Sequence, residues 1–264
     1  MAKISVAMCC ANVGDTLEAA CQSVAWADEL IIVDSGSTDA TAEIARRYAQ
    51  RYVVEPWRGF TKQKQFAAAL ARNPWVLVLD GDEECSPELA KELQALTEAG
   101  LERYDVLMMR RRNHMLGRVV RAWWPDWQSR LIHRDRTIWA EEALHDRRLP
   151  SDPKRLGRLR GWIEHRRTSA AGFLDYFNGE LWDQRLPLTA KELYDKGKRC
   201  TWRDIVLRPP LTFFKFYVLK RGFLDGSFGY LIAQKAAVGV QLKYAALWAH
   251  QQGVALKGKQ RTPR

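Results

Sequence analysis

Trp75-Val76-Leu77-Val78-Leu79-Asp80-Gly81-Asp82 is an apolar run that ends abruptly in two carboxylates separated by a glycine. Five consecutive apolar residues closed by turn-formers suit a strand buried on both faces. The same construction occurs earlier, where Ile31-Ile32-Val33 closes on Asp34-Ser35-Gly36-Ser37-Thr38-Asp39. With residues 4–10 and 52–54, these make four short apolar runs in the first hundred residues, each followed by a helix-like segment. That alternation predicts a parallel sheet covered by helices, with all four strands buried on both faces. Helix starts are marked by Ser37-Thr38-Asp39 before residues 40–50 and by Ser86-Pro87-Glu88 before residues 89–96. In open α/β sheets ligands collect at the C-terminal ends of the strands, and both acidic turns stand there.

Beyond Tyr104 the rhythm changes to Val106-Leu107-Met108-Met109, Arg118-Val119-Val120 and Arg130-Leu131-Ile132, which predicts mixed or antiparallel structure finishing the sheet. After Arg166 the pattern is helical, over residues 170–185, 189–200, 209–220 and 228–251, before a loose basic tail at 257–264. The expected division is an α/β core over residues 1–165 and a helical segment over residues 166–264. Charge follows the same division: the first part holds 24 Lys and Arg against 24 Asp and Glu, and the second holds 18 against 7, the whole net charge of +11.

With 47% hydrophobic and 11% aromatic residues in 264, the chain is too apolar for a disordered polypeptide. A segment both basic and aromatic suits an anionic membrane surface; a solvated basic face and a nucleic-acid contact are the other readings. Lys215, Lys220, Arg221, Lys235 and Lys243 interrupt the apolar residues from Pro209 to Gln251, where long cationic stems can lie along an apolar surface. Lys235 and Lys243 point about 80° apart on a helix, so part of the segment packs on a core under this reading. The five cysteines show no Cys-x-x-Cys spacing and read as reduced, buried thiols. No leader pattern and no run of about 18 apolar residues occurs, so the expected compartment is the cytosol.

Two carboxylates leaving a buried strand, with Gly81 allowing close approach, are a means of holding Mg2+ or Mn2+ through phosphate oxygens. Alone, Asp-Gly-Asp serves a tight turn equally well. Asp34 has the same two readings, as acceptor for a base imide proton or as a satisfier of turn and helix-cap groups.

Strand, Asp34-x-Gly36-Ser37-Thr38-Asp39, then strand and Asp80-x-Asp82, in this order and spacing, resemble the family 2 glycosyltransferases of the GT-A fold. Trp26-Ala27-Asp28-Glu29, Glu55-Pro56-Trp57-Arg58-Gly59-Phe60, Gln63-Lys64 and Trp124-Pro125-Asp126-Trp127-Gln128 narrow the resemblance to the lipopolysaccharide-core β-1,4-glucosyltransferase group. Leu219-Lys220-Arg221-Gly222-Phe223-Leu224-Asp225-Gly226 and Leu242-Lys243-Tyr244 extend it to nearly the whole chain. The resemblance implies an α/β fold with a Rossmann-like, mixed, mostly parallel sheet flanked by helices and a C-terminal helical extension. It implies a UDP-sugar donor bound at Asn12, Asp34, Ser35, Gly36, Lys64, Asp80 and Gly81. Asp34 then contacts uracil, Lys64 lies near the diphosphate, Asp80 meets ribose or metal, and Asp82 binds Mg2+ or Mn2+. Cys10-Ala11-Asn12-Val13 stands where the group carries Thr-Lys-Asn-Glu, and His145-Asp146 where it carries His-Glu.

Transfer needs a base for the acceptor hydroxyl. Asp146 is the expected base, with Glu142 and Glu141 as alternates and His145 as an orienting residue or ligand. Trp124, Trp127, Gln128 and Arg130 suit sugar stacking and the clamping of hydroxyls, although the tryptophans also suit a core. Trp124, Asp126, Gln128 and Arg130 are therefore the expected acceptor contacts. The expected activity is inverting transfer of a hexose, glucose above others, from a UDP-sugar to the lipopolysaccharide inner core. The expected setting is the cytoplasmic face of a bacterial inner membrane, with a lipid-linked saccharide acceptor. Transfer to a lipid-phosphate carrier or an exopolysaccharide unit is the same-fold alternative. A basic nucleic-acid-binding module is the alternative of another class, and nucleic acid is not the expected partner. A dinucleotide-dependent oxidoreductase is disfavoured, because no Gly-x-Gly-x-x-Gly follows the first strand.

Overall fold

Strands β1 (Ile4–Cys10), β2 (Glu29–Asp34), β3 (Arg51–Val54) and β4 (Trp75–Asp80) lie parallel in the order β3-β2-β1-β4. Helices α1 (Leu17–Ser23), α2 (Thr41–Tyr48) and α3 (Phe60–Ala69) make the crossovers, as the alternating pattern predicts. The structure, a computed structural model, describes residues 1–140, 147–167 and 186–254.

Pleating sends alternate residues to opposite faces of the sheet. Val6, Met8, Ile32, Leu77 and Leu79 join one buried cluster with Leu17 and Ala20 of α1, Ala45 of α2, and Leu89 and Leu93 of α4 (Pro87–Gln94). Ala7, Cys9, Ile31, Val33, Val76 and Val78 join a second cluster with Ala67 and Ala68 of α3. Each Val, Ile or Leu buried this fully contributes roughly 1.5–3 kcal/mol. β3 departs from the expected double burial, with Arg51 and Val54 exposed, because it is the edge strand and has a neighbour on one side only.

Ser86 caps α4, its hydroxyl accepting from Leu89 N at 3.1 Å, and Pro87 occupies the first turn. At α2 the expected cap takes a wider form. Asp39 Oδ1 accepts from Thr41 N at 3.0 Å and Oδ2 from Gly14 N at 2.9 Å, tying two loops together.

The remainder of the sheet is antiparallel where its register is defined. β6 (Val106–Met115) and β8 (Asp126–His133) pair with each other, β8 pairs with β4, and β5 (Glu83–Cys85) pairs with β11 (Leu156–Arg167). The order continues β4-β8-β6-β11-β5, so the short strand after the Asp-Gly-Asp turn closes the far edge. A short helix α5 (Glu98–Leu101) precedes β6, and β9 (Ile138–Ala140) and β10 (Arg147–Leu149) form a separate antiparallel pair. All five cysteines are buried free thiols, as expected from their spacing.

Two compact units are present. The first comprises, among the described residues, 1–112, 125–140 and 147–166; the second comprises 113–124, 167 and 186–254. In the second unit, β7 (Arg118–Val119) pairs with the end of β6, and α9 (Gly226–Gln251) packs against α6 (Leu186–Asp195), α7 (Trp202–Val206) and α8 (Arg208–Phe214). α8 runs on into a π-helical stretch, Lys215–Leu219, followed by a 3-10 turn, Gly222–Asp225. α6 stops earlier than the expected residue 200, because Gly197 turns at φ 78° and the Gly197 and Lys198 amides donate back to Tyr194 O and Leu193 O.

Lys235 is 6% exposed inside this unit, so it is not one of the surface cations expected from its spacing. A predominantly apolar helix packed on several sides carries it inward. Among the described residues no helix is long and apolar enough to cross a membrane. The expected helix over 170–185 and the tail from 257 lie outside the described residues.

Candidate active site

Asp34 ends β2 and Asp80 ends β4, on either side of β1, aligned with Cys10 and Cys9 respectively. Two strand spacings put them roughly 10 Å apart at one sheet edge. Because Cys9 and Cys10 belong to opposite faces, so do the two aspartates. A one-residue offset in register relative to β1 therefore turns the two side chains in opposite directions.

Asp80 turns toward α3. Lys64 Nζ lies 2.7 Å from its Oδ1 and 3.0 Å from its Oδ2, and Arg130 Nη2 lies 3.2 Å from Oδ2. The same guanidinium nitrogen donates to Glu83 Oε1 at 2.5 Å, and Arg111 Nη1 reaches that oxygen at 3.1 Å. Glu83 Oε2 accepts from Asp80 N at 3.1 Å. Arg111 also pairs with Asp126, whose Oδ1 accepts from Gln128 Nε2 at 2.7 Å. Three cations thus meet three carboxylates. Burial pushes the Asp80 carboxyl up, but the Lys64 ammonium and the Arg130 guanidinium overcome it and hold the group well below the usual carboxylate range.

Glu83 is completely buried and Arg130 is 1% exposed, so their pairing compensates two desolvated charges. This placement corrects the expectation for Arg130. Its guanidinium lies inside the protein beneath Asp80, drawn in by Glu83, and does not face an acceptor. Lys64 is likewise buried and directed at Asp80, because α3 packs flat on the sheet.

Asp82 is the second carboxylate of the turn. Its carboxylate is about one quarter exposed, and Oδ2 lies 3.1 Å from Nε2 of His165 on β11. Antiparallel pairing aligns His165 with Glu83, which brings the imidazole to the turn from 83 positions away. Among the described residues no three His, Cys, Asp or Glu side chains gather into a metal cage. The Asp82 oxygen nonetheless suits Mg2+ or Mn2+ completed by phosphate oxygens, since such ions normally take only one or two carboxylates from protein, and the softer imidazole nitrogen favours Mn2+ over the harder Mg2+.

Between the two acids, Gly81 donates to Cys9 O at 3.1 Å, and a Cβ there would stand 2.8 Å from Val13 Cγ2 and 2.9 Å from Cys10 Cβ. Gly81→Ala is therefore expected to lower stability by about 1–3 kcal/mol. Urea unfolding reads this directly, and an unchanged midpoint would refute the crowding.

Asp34 is only 1% exposed. Oδ1 accepts from Ser37 N at 3.0 Å and Ser37 Oγ at 2.6 Å, while Oδ2 accepts from the Tyr52 hydroxyl at 2.8 Å. Burial first, then Asp34, pushes the Tyr52 phenol up to about 12, so it remains a protonated donor. The turn-satisfying reading of Asp34 is thus the one its contacts support. Asn12, at φ 50°, donates its backbone N–H to Ser37 Oγ and accepts from Thr38 N at its side-chain Oδ1, both at 2.8 Å. Ser35 accepts from Gln63 Nε2 at 3.2 Å, and Gly36 adopts φ 90° with open space beside it.

Trp124 falls in the second unit and is half-buried. Asp126 and Gln128 are half-buried at the first unit's network. Glu141, Glu142, His145 and Asp146 lie outside the described residues. Glu83, Arg111, Tyr52 and His165 were not singled out by sequence, and Gln63 entered only as the neighbour of Lys64 in the motif that carries the resemblance. Glu83 adjoins the acidic turn and was readable as part of that run, whereas His165 carried no local signal.

The sequence profile described as Glycosyl transferase family 2 matches residues 5–148. An uncharacterized glycosyltransferase of Rickettsia bellii is 44% identical over 93 residues, a match spanning 35% of this chain and about a third (32%) of that protein's own length. A lipopolysaccharide core biosynthesis glycosyltransferase, LpsC, of Rhizobium meliloti is 27% identical over 263 residues, covering 93% of this chain and 92% of that one. Among solved structures, glucosyl-3-phosphoglycerate synthase of Mycobacterium tuberculosis, in complex with Mn2+, UDP and glucosyl-3-phosphoglycerate, aligns with a TM-score of 0.47 at 18% identity. That alignment covers 74% of this chain and 80% of the synthase.

Proposed function

The chain belongs to glycosyl transferase family 2, and from that premise we propose that it moves a hexosyl group, glucose in the first instance, from a UDP-sugar to the inner core of lipopolysaccharide with inversion. The observation that carries the reading is the acidic turn after β4, where Asp82 and His165 meet while Asp80 is held ionised by Lys64 and Arg130. The similarity to LpsC along nearly the whole of both chains supports the acceptor class.

Asp82, with His165 and Asp80 beside it, would hold Mg2+ or Mn2+. That ion supplies charge neutralisation at the departing diphosphate. The chain's own residues do the rest. Asp34 shapes the Asn12–Ser37–Thr38 turn through Ser37, so that Ser35 and Gly36 present backbone to the base, and Asp34 itself stays inside. Arg111 fixes Asp126, and Asp126 orients Gln128 for acceptor hydroxyls. Asp146 or Glu142 takes the acceptor proton in this reading. The basic helical segment brings the protein to the anionic cytoplasmic face of the inner membrane, where a lipid-linked saccharide is presented.

Radiolabelled UDP-glucose, incubated with lipopolysaccharide truncated at the inner core and Mn2+, is expected to label the lipopolysaccharide. Label passing to an isoprenoid phosphate instead would overturn the acceptor assignment. Absence of transfer from any UDP-hexose would overturn the donor.

A further inference from the structure

Helices α7 and α8 in the second unit carry apolar side chains that their own unit leaves uncovered. Leu207, Leu211, Phe214 and Val218 recur at intervals of four, three and four residues, which sets them along one helical stripe. Leu211 is 64% and Phe214 50% exposed; Trp202 on α7 and Leu219 at the end of the π-helical stretch reach 66% and 67%. Large apolar side chains left this exposed along one helical stripe point to an interaction site.

Its charge selects the partner. From Trp202 to Leu231 the chain holds five cations, Arg203, Arg208, Lys215, Lys220 and Arg221, and two acids, Asp204 and Asp225. Both acids are engaged within the unit, Asp204 with Thr201 and Arg208, and Asp225 with Arg121. A second copy seated on this face would set cation against cation, whereas anionic headgroups neutralise them. Long basic side chains beside large apolar ones match the boundary between phosphates and acyl chains.

We propose that α7, α8 and the turn after them form a bilayer-docking face, laying Trp202, Leu211, Phe214 and Leu219 into the headgroup region of an anionic membrane. The long helix α9, with Lys235 buried, supports this face from within its unit. The proposal deepens the transfer to a lipid-linked acceptor and rests on that reading for its purpose. Vesicle binding needs neither donor nor acceptor, so failure of either idea is seen separately.

The test is co-sedimentation of the full chain with phosphatidylcholine vesicles and with phosphatidylcholine–phosphatidylglycerol vesicles. Binding is expected to the anionic vesicles above the neutral ones. Leu211→Glu combined with Phe214→Glu is expected to lower the partition coefficient at least about tenfold. Lys215→Gln combined with Arg221→Gln, which leaves the apolar stripe intact, is expected to lower it about thirtyfold on anionic vesicles and little on neutral ones. A parent protein that stays in the supernatant with anionic vesicles overturns the proposal, as does a folded double variant of either kind that sediments like the parent. Light scattering that shows a parent dimer, made monomeric by the Glu pair, assigns the face to a second copy and overturns it equally.

Discussion

Asp82→Ala is expected to lower sugar transfer about a thousandfold in kcat/KM, close to 4 kcal/mol of transition-state stabilisation, while the folded state persists. The two halves of this expectation rest on different observations. In the proposed reaction transfer depends on charge control at the departing diphosphate, and Asp82 is the half-buried carboxylate of the acidic turn that lies beside an imidazole. The fold is expected to tolerate the change because the side chain is about one quarter exposed, in the turn after β4 rather than in the core. His165→Asn is expected to weaken the Mn2+ dependence of transfer in the same direction, by a smaller factor. Measured turnover of Asp82→Ala within threefold of the parent would remove the acidic turn from the chemistry.

Arg130→Met is expected to act in the opposite way, through the fold. The substitution leaves Glu83 completely buried with one described cation, Arg111, and takes one of two cations from Asp80. Breaking a buried pair from one side costs about 3–5 kcal/mol. The lower end applies here because each carboxylate retains a partner. About 3 kcal/mol corresponds to a fall of roughly 6–12 °C in the thermal midpoint of a chain this size. Arg130→Met combined with Glu83→Gln is expected to recover part of that loss, since a neutral amide costs less to bury than a lone carboxylate. Strict additivity of the two single changes would show that the pair is not coupled, and the network would then be incidental to the fold.

Much of the first unit was legible in residues 1–100. Four apolar runs, each closing on a polar turn, give four parallel strands, and their acidic ends stand at one sheet edge. Ser86 and Pro87 mark their helix start through local hydrogen bonding that any chain with those residues would form. The edge position of β3 was not legible, because the apolar content of three residues does not say whether a strand has one neighbour or two. Nor was the direction of Asp34 and Asp80, which depends on a register offset of one residue relative to β1.

By itself the sequence determined the sheet, its crossovers, the acidic turn after β4 and the concentration of positive charge after residue 165, because each follows from local periodicity or from counting. Tertiary structure alone decided which acid meets which cation. Asp80 lies 16 residues from Lys64 and 50 from Arg130, and Asp82 lies 83 from His165. Contacts at those separations are set by strand order and pleat, and a charged side chain reads the same in sequence whether it ends in solvent or, like Arg130, beneath a buried glutamate.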